Sequence, residues 1–97
     1  MASLDYLLQQ YNVVFFDSPS CPYCRKAETE LNKNQILYEL VDIDAYRDEL
    51  KSVTGVSSAP SVWVRGEYIG GCNDGPKDWH GVIPMLKNGT FQAMLKD

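Results

Sequence analysis

Cys21 and Cys24 stand two residues apart in the stretch SPSCPYCRK, residues 18–26. A pair at that spacing can ligate a metal, staple the chain or exchange electrons. A zinc site needs four ligands, and Cys72 and His80 would have to complete a Cys3His set. No second closely spaced Cys/His pair exists in the chain, so no metal is expected. Three cysteines are also too few for a disulfide framework. Redox exchange suits the surroundings better, because the apolar run NVVFFD precedes the pair and helix formers follow it. The first cysteine then stands where a helix begins, and unpaired N–H groups and the helix dipole favour thiolate over thiol there. Thiolate is the nucleophilic form. On this reading Cys21 attacks, and Cys24, one turn inside the helix and facing the same way, resolves the mixed disulfide. Arg25 and Lys26 add positive potential nearby.

Two further stretches invite attention. In VSSAPSVWV, Pro60 opens a strand, where it removes a ladder donor. An ordinary trans edge proline is one reading; a cis bond after Ala59 is the other, and it would expose the Ala59 backbone to an extended peptide. In YIGGCNDG, Gly70 and Gly71 permit close backbone approach. The N–H groups of Cys72, Asn73 and Asp74 can hold a carboxylate, and the Asp74 carboxylate can accept from an ammonium. An end group bearing both an α-carboxylate and an α-amine would satisfy this corner. Taken alone, a tight turn with a helix cap by Asn73 or Asp74 is the better reading of these residues.

Elements to position these groups are legible in the pattern. Ser3 caps a helix with Leu4, Leu7, Leu8 and Tyr11 at helical spacing. NVVFFD reads as a buried strand, and residues 22–33 as a helix with Pro22 in its first turn. ILYELVDID is a second strand. DAYRDELKSVTG is a helix capped by Asp44 and stopped by Gly55. SVWVRGEYIGG is a hairpin turning at Arg65 and Gly66. From Asn73 or Asp74 to about Asn88 a further helix is expected, with Pro76 in its first turn and Pro84 either kinking it or shifting its boundaries, and TFQAMLK closes the chain as a short helix. A strand-helix-strand start gives parallel pairing and the hairpin adds antiparallel strands. The fold class is therefore α/β, a mixed four-stranded sheet with helices on both faces.

The 97 residues, 44% apolar, support one core and hence a single domain over 1–97. A net charge of −4, with nine Lys and Arg in no block, argues against nucleic acid. The amino terminus lacks the basic-then-apolar order of a secretion signal, and no stretch approaches the ~20 apolar residues that cross a bilayer. A soluble protein of the cytoplasm, not bound to membranes, is the expectation.

Three motifs in order, CPYC at 21–24, TGVSSAP at 54–60 and IGGCND at 69–74, resemble those of a dithiol glutaredoxin of the thioredoxin-like superfamily. The resemblance spans nearly the whole chain. It implies a thioredoxin-like fold, a cis-Pro60, a nucleophilic Cys21 and a resolving Cys24. It also implies glutathione lying across the Ala59 backbone, beside Pro60 and Gly71, with Tyr23 at its flank and its γ-glutamyl end on Cys72, Asn73 and Asp74. The implied activity is glutathione-dependent reduction of protein disulfides and protein-glutathione mixed disulfides, with glutathione as co-substrate and no further cofactor. Such sites sit near about −200 to −230 mV. Implied partners are glutathione and disulfide-bonded or glutathionylated proteins, ribonucleotide reductase among the candidates, met by a monomer. An iron-sulfur scaffold is the weaker alternative, because relatives of that kind usually carry a smaller residue at the position of Pro22 or Tyr23. The Cys72 thiol is expected to be inert, its N–H being the useful group.

Departures from the pattern are informative. Ser18 and Pro19 stand where such proteins commonly have a basic residue and a threonine, and Ser57 and Ser61 stand where Arg or Gln is frequent. Cations for the glycine-end carboxylate of glutathione are thus missing. Arg25, Arg47 or Lys51 would have to compensate.

Overall fold

The structure is a computed structural model that describes residues 2–96. Four strands form one sheet: β1 (Val13–Asp17), β2 (Glu39–Asp42), β3 (Ser61–Val64) and β4 (Glu67–Gly70). Their order is β2-β1-β3-β4, with β1 parallel to β2 and antiparallel to β3, and β3 antiparallel to β4. Five helices surround it: α1 (Leu4–Gln10), α2 (Pro22–Lys33), α3 (Arg47–Thr54), α4 (Val82–Asn88) and α5 (Thr90–Met94). The mixed four-stranded sheet expected from the pattern is the sheet observed.

Strand β1 is buried along its whole length, which is why it shows no polar face in sequence. Its side chains alternate between two cores. Val13 and Phe15 meet Ala27 and Leu31 of α2, Met85 of α4 and Phe91 of α5 on one face. Val14 and Phe16 meet Leu4 and Leu7 of α1 and Leu50 of α3 on the other. Each fully buried Phe contributes about 1.5–3 kcal/mol by leaving water. Burial on both faces makes β1 the rigid base from which the cysteine pair projects.

Several expected boundaries hold. The Ser3 side chain accepts the Tyr6 N–H, α2 begins at Pro22, and Gly55 ends α3 in the left-handed conformation. Arg65 and Gly66, with φ of 50° and 83°, make the hairpin turn. Positive φ at both central positions matches the right-handed twist of the strands, and Gly66 adopts it without steric cost.

Other expectations need correction. β2 is only four residues long. Asp44 does not cap α3: the Asp42 side chain accepts the Asp44 N–H to start a single 3-10 turn over Ile43–Ala45, and α3 follows without a side-chain cap. The helix expected from residue 73 begins nine residues later, at Val82. Gly75 precedes Pro76, which disfavours helical backbone, and Gly81 holds a φ of 111° that no helix contains. Pro84 is consequently the third residue of α4, where the missing N–H has no intrahelical acceptor to lose, so of the two outcomes expected of it the shifted boundary is the one observed. The last helix stops at Met94. Among the described residues, no helix is long and apolar enough to cross a membrane.

Candidate active site

Cys21 is the N-cap of α2, in extended conformation directly after the loop that leaves β1. Its sulfur accepts the Cys24 backbone N–H at 3.1 Å, and its thiol reaches the Ala59 carbonyl at 3.7 Å. An N–H aimed at the sulfur from the first turn of a helix favours a negative sulfur. Cys24 is fully buried. Burial pushes its thiol well above the usual range; hydrogen bonding to Cys21 and the charges of Cys21 and Asp17 add to the effect, and the Ser18 backbone opposes it. One sulfur is therefore presented at the surface and the other is held protonated beneath it.

The Ala59-Pro60 peptide bond is cis. Pro60 is buried and Ala59 half-buried, so the backbone at 59 forms a ledge beside Cys21. A cavity of about 620 Å³ opens along this ledge, and Tyr23, Ala59, Pro60, Gly71, Cys72, Asn73 and Asp74 all line it. Every non-cysteine position picked out as glutathione-binding, and Cys72 with them, is thus brought to one concavity.

Backbone bonding shapes the far wall. The Gly71 N–H donates to the Asp74 carbonyl at 2.8 Å, closing a turn. The Gly71 and Cys72 carbonyls accept the Val82 and Ile83 N–H groups, each at 2.9 Å, which satisfies two orphan donors at the start of α4. Among the described residues, the N–H groups of Cys72, Asn73 and Asp74 donate to no protein acceptor.

The glutaredoxin family model matches residues 13–69, more than half of the chain. Glutaredoxin-1 of Bos taurus is 41% identical over 98 residues, an alignment covering 92% of this chain and 86% of that protein. The chain belongs to the glutaredoxin family. Its activity is glutathione-dependent thiol-disulfide exchange through a Cys-X-X-Cys dithiol, the pair being Cys21 and Cys24. Solved glutaredoxin structures share the fold. The solution structure of the dithiolic glutaredoxin 2-C-Grx1 from Trypanosoma brucei brucei has a TM-score of 0.81 at 24% identity, covering 99% of this chain and 98% of that one. The buckwheat glutaredoxin-glutathione complex has a TM-score of 0.79 at 24% identity, covering 92% and 80%.

The electrostatics of this glutaredoxin differ from expectation in three places. Arg25 is not a free cation: it pairs with the buried Asp17 carboxylate, and with Glu28 at 2.8 Å. Arg47 is engaged as well, its Nε donating to Asp44 Oδ1 at 2.7 Å and its Nη1 to the Ser57 carbonyl at 2.6 Å. The second bond ties α3 to the segment that leads into the ledge. Ser61 is only 2% exposed, and its Oγ accepts the Trp63 indole N–H at 3.2 Å. That position faces the core and could not present a cation to the cavity.

Thr54, Val56, Ser58, Tyr68, Gly75 and Pro76 also line the cavity, and sequence reading did not pick them out as binding residues. Thr54, Val56 and Ser58 lie within TGVSSAP, and Tyr68, Gly75 and Pro76 flank IGGCND, which is the signal that could have found them. Among the described residues, no cluster of three or more His, Cys, Asp or Glu is placed to hold a metal ion. His80 is buried and its Nδ1 accepts the Lys77 N–H at 3.1 Å. Burial pushes the Cys72 thiol up, with Lys26 pulling part of the way back.

Proposed function

We propose that the cavity along Ala59 holds the glutathione moiety, with its sulfur at Cys21 and its γ-glutamyl end on the N–H groups of Cys72, Asn73 and Asp74. The Asp74 carboxylate balances the α-ammonium, and Tyr23 flanks the tripeptide. The convergence of all seven positions on one concavity is the observation that carries this reading. The bound glutathione of the buckwheat protein is consistent with it.

On a glutathionylated protein, the Cys21 thiolate attacks the glutathione sulfur. A bond forms between the two sulfurs, and the protein leaves as a thiolate that takes up a proton. A second glutathione thiolate then attacks the glutathione sulfur on Cys21, releasing oxidised glutathione and restoring the Cys21 thiolate. On a protein disulfide, Cys21 forms a mixed disulfide and releases one substrate thiolate. Cys24 loses its proton and attacks the Cys21 sulfur, releasing the second. The chain is left with a Cys21-Cys24 disulfide that two glutathiones reduce. Disulfide-bonded and glutathionylated proteins are the substrates on this reading, with ribonucleotide reductase one candidate.

A glutathione-coupled assay comparing wild type with Cys21→Ser and Cys24→Ser tests the roles. Cys21→Ser is expected to lose both activities, and Cys24→Ser to keep deglutathionylation while losing protein-disulfide reduction. Deglutathionylation by Cys21→Ser would reject the assignment.

A further inference from the structure

The proposed binding mode gives no task to Tyr68, a side chain of the cavity wall. Tyr68 is the cross-strand partner of Trp63, and their rings stand 5.3 Å apart at 47°. Trp63 is itself fixed, 5% exposed and anchored by its indole N–H on Ser61 Oγ. The Tyr68 ring is therefore held against a buried support while it lines the same cavity as Asp74. Among the described residues, the Tyr68 hydroxyl makes no hydrogen bond, to Asp74 or to any other group. Burial raises the Tyr68 phenol above its ordinary range, and the nearby Asp74 raises it further. The Tyr68 phenol and the Asp74 carboxyl group thus line one cavity with no hydrogen bond between them.

Such a pair suits a particular guest. An ammonium has three donors and no acceptor. One carboxylate does not exhaust those donors, and a phenol oxygen is an uncharged acceptor that can take another. We propose that Tyr68 is a specificity residue of this site, its phenol oxygen accepting from the α-ammonium whose charge Asp74 balances. The proposal rests on the placement of the γ-glutamyl end given above and extends it. It makes the site selective for tripeptides with a free α-amine over analogues that share the carboxylate but lack the amine.

The test uses two peptide mixed disulfides, one carrying glutathione and one carrying glutaryl-Cys-Gly, which lacks only the α-amine. kcat/KM is measured for each with wild type, Tyr68→Phe and Asp74→Asn. Tyr68→Phe keeps the ring and its contact with Trp63, and its melting temperature reports whether the fold is kept. The expected result is that wild type prefers the glutathione disulfide, and that Tyr68→Phe loses about tenfold on it while leaving the glutaryl disulfide unchanged, as for one hydrogen bond to a charged group. An equal loss on both disulfides, or no loss on either, while wild type keeps its preference, overturns the role of Tyr68 alone. If wild type does not distinguish the two disulfides, or if Asp74→Asn leaves the preference intact, the γ-glutamyl placement fails and this inference fails with it.

Discussion

The backbone N–H of Cys24 points at the sulfur of Cys21 across 3.1 Å, while the Cys24 sulfur lies wholly inside the protein. The two cysteines are thus one turn of helix apart and chemically opposed. Four influences raise the Cys24 thiol: burial foremost, then its hydrogen bond with Cys21, its charge interaction with Cys21 and that with Asp17. The two that involve Cys21 weaken once Cys21 enters a mixed disulfide, because a disulfide sulfur carries no ionisable thiol. Burial remains. The resolving step should therefore still be limited by the small thiolate fraction of Cys24 at neutral pH. Single-turnover reduction of a protein disulfide without glutathione is expected to accelerate between pH 6 and pH 9, by up to about tenfold per unit. Attack by Cys21 alone, followed in Cys24→Ser, sets the baseline. A resolving rate that is flat over this range would contradict the raised thiol.

Ser18 and Ser61 both stand where relatives of the resembling pattern often carry a cation or amide, and the structure separates them. Ser18 is partly exposed at the end of β1, beside the cysteine loop, whereas Ser61 is buried under Trp63. Arg25 and Arg47 are paired with carboxylates and cannot substitute freely. Ser18→Lys is expected to lower the apparent KM for glutathione about three- to tenfold at low salt, with the gain shrinking as ionic strength rises. Ser61→Arg is expected to give no such gain and to lower the melting temperature, since it places an unpaired charge in the core. Steady-state kinetics at two salt concentrations check the first, and thermal unfolding checks the second.

The parts of the fold that were legible in sequence are those set by local chemistry. NVVFFD announced a doubly buried strand, Ser3 and Pro22 announced helix starts, and the three motifs located the cavity. The stretch from Asn73 to Gly81 was misread because Asn73, Asp74 and Pro76 look like a helix start in isolation. The outcome there is decided by Gly81, whose positive φ becomes visible only when the turn packs against it. Tyr68 was missed for a related reason: its role depends on Trp63 across the hairpin and Asp74 beyond it, and pairings between distant residues leave no local trace. Arg25 read as a free cation since nothing local reveals that Asp17, eight residues earlier, ends its strand buried beside it.

Gly81 gives a test of how much the cavity wall depends on the turn behind it. Its φ is 111°, and a Cβ there would come within 2.6 Å of the Asn73 carbonyl carbon and 2.7 Å of the Asp74 nitrogen, both backbone. Neither atom can yield without moving the backbone of Asn73 and Asp74, both of which line the cavity. Gly81→Ala is expected to cost about 1–3 kcal/mol of stability through backbone strain. It should also raise the KM for glutathione while leaving alkylation of Cys21 by a small reagent unchanged. Denaturant unfolding, glutathione kinetics and alkylation rates check the three parts, and an unaltered KM in a folded variant would show that the turn does not position the anion-facing amides.

His80 supplies the last prediction, in the pH dependence of stability. Its ring is 3% exposed, packs edge-on against Trp79 at 4.2 Å, and accepts the Lys77 N–H on Nδ1. Burial lowers its imidazole below the ordinary value, Lys77 lowers it further, and Glu67 opposes them. The unfolded chain therefore binds a proton at His80 more readily than the folded one does. Stability is fully present above the unfolded value of about 6.5 and is lost as the pH falls through 6.5 towards the lower folded value. His80→Asn retains an acceptor for the Lys77 N–H but does not titrate. The difference in melting temperature between wild type and His80→Asn should be constant from pH 7 to 8 and should move in favour of the variant as the pH drops from 6.5 to 5. Because the carboxylates are common to both proteins, their titration cancels in the difference. A gap that stays constant down to pH 5 would mean that His80 titrates alike in the folded and unfolded chains.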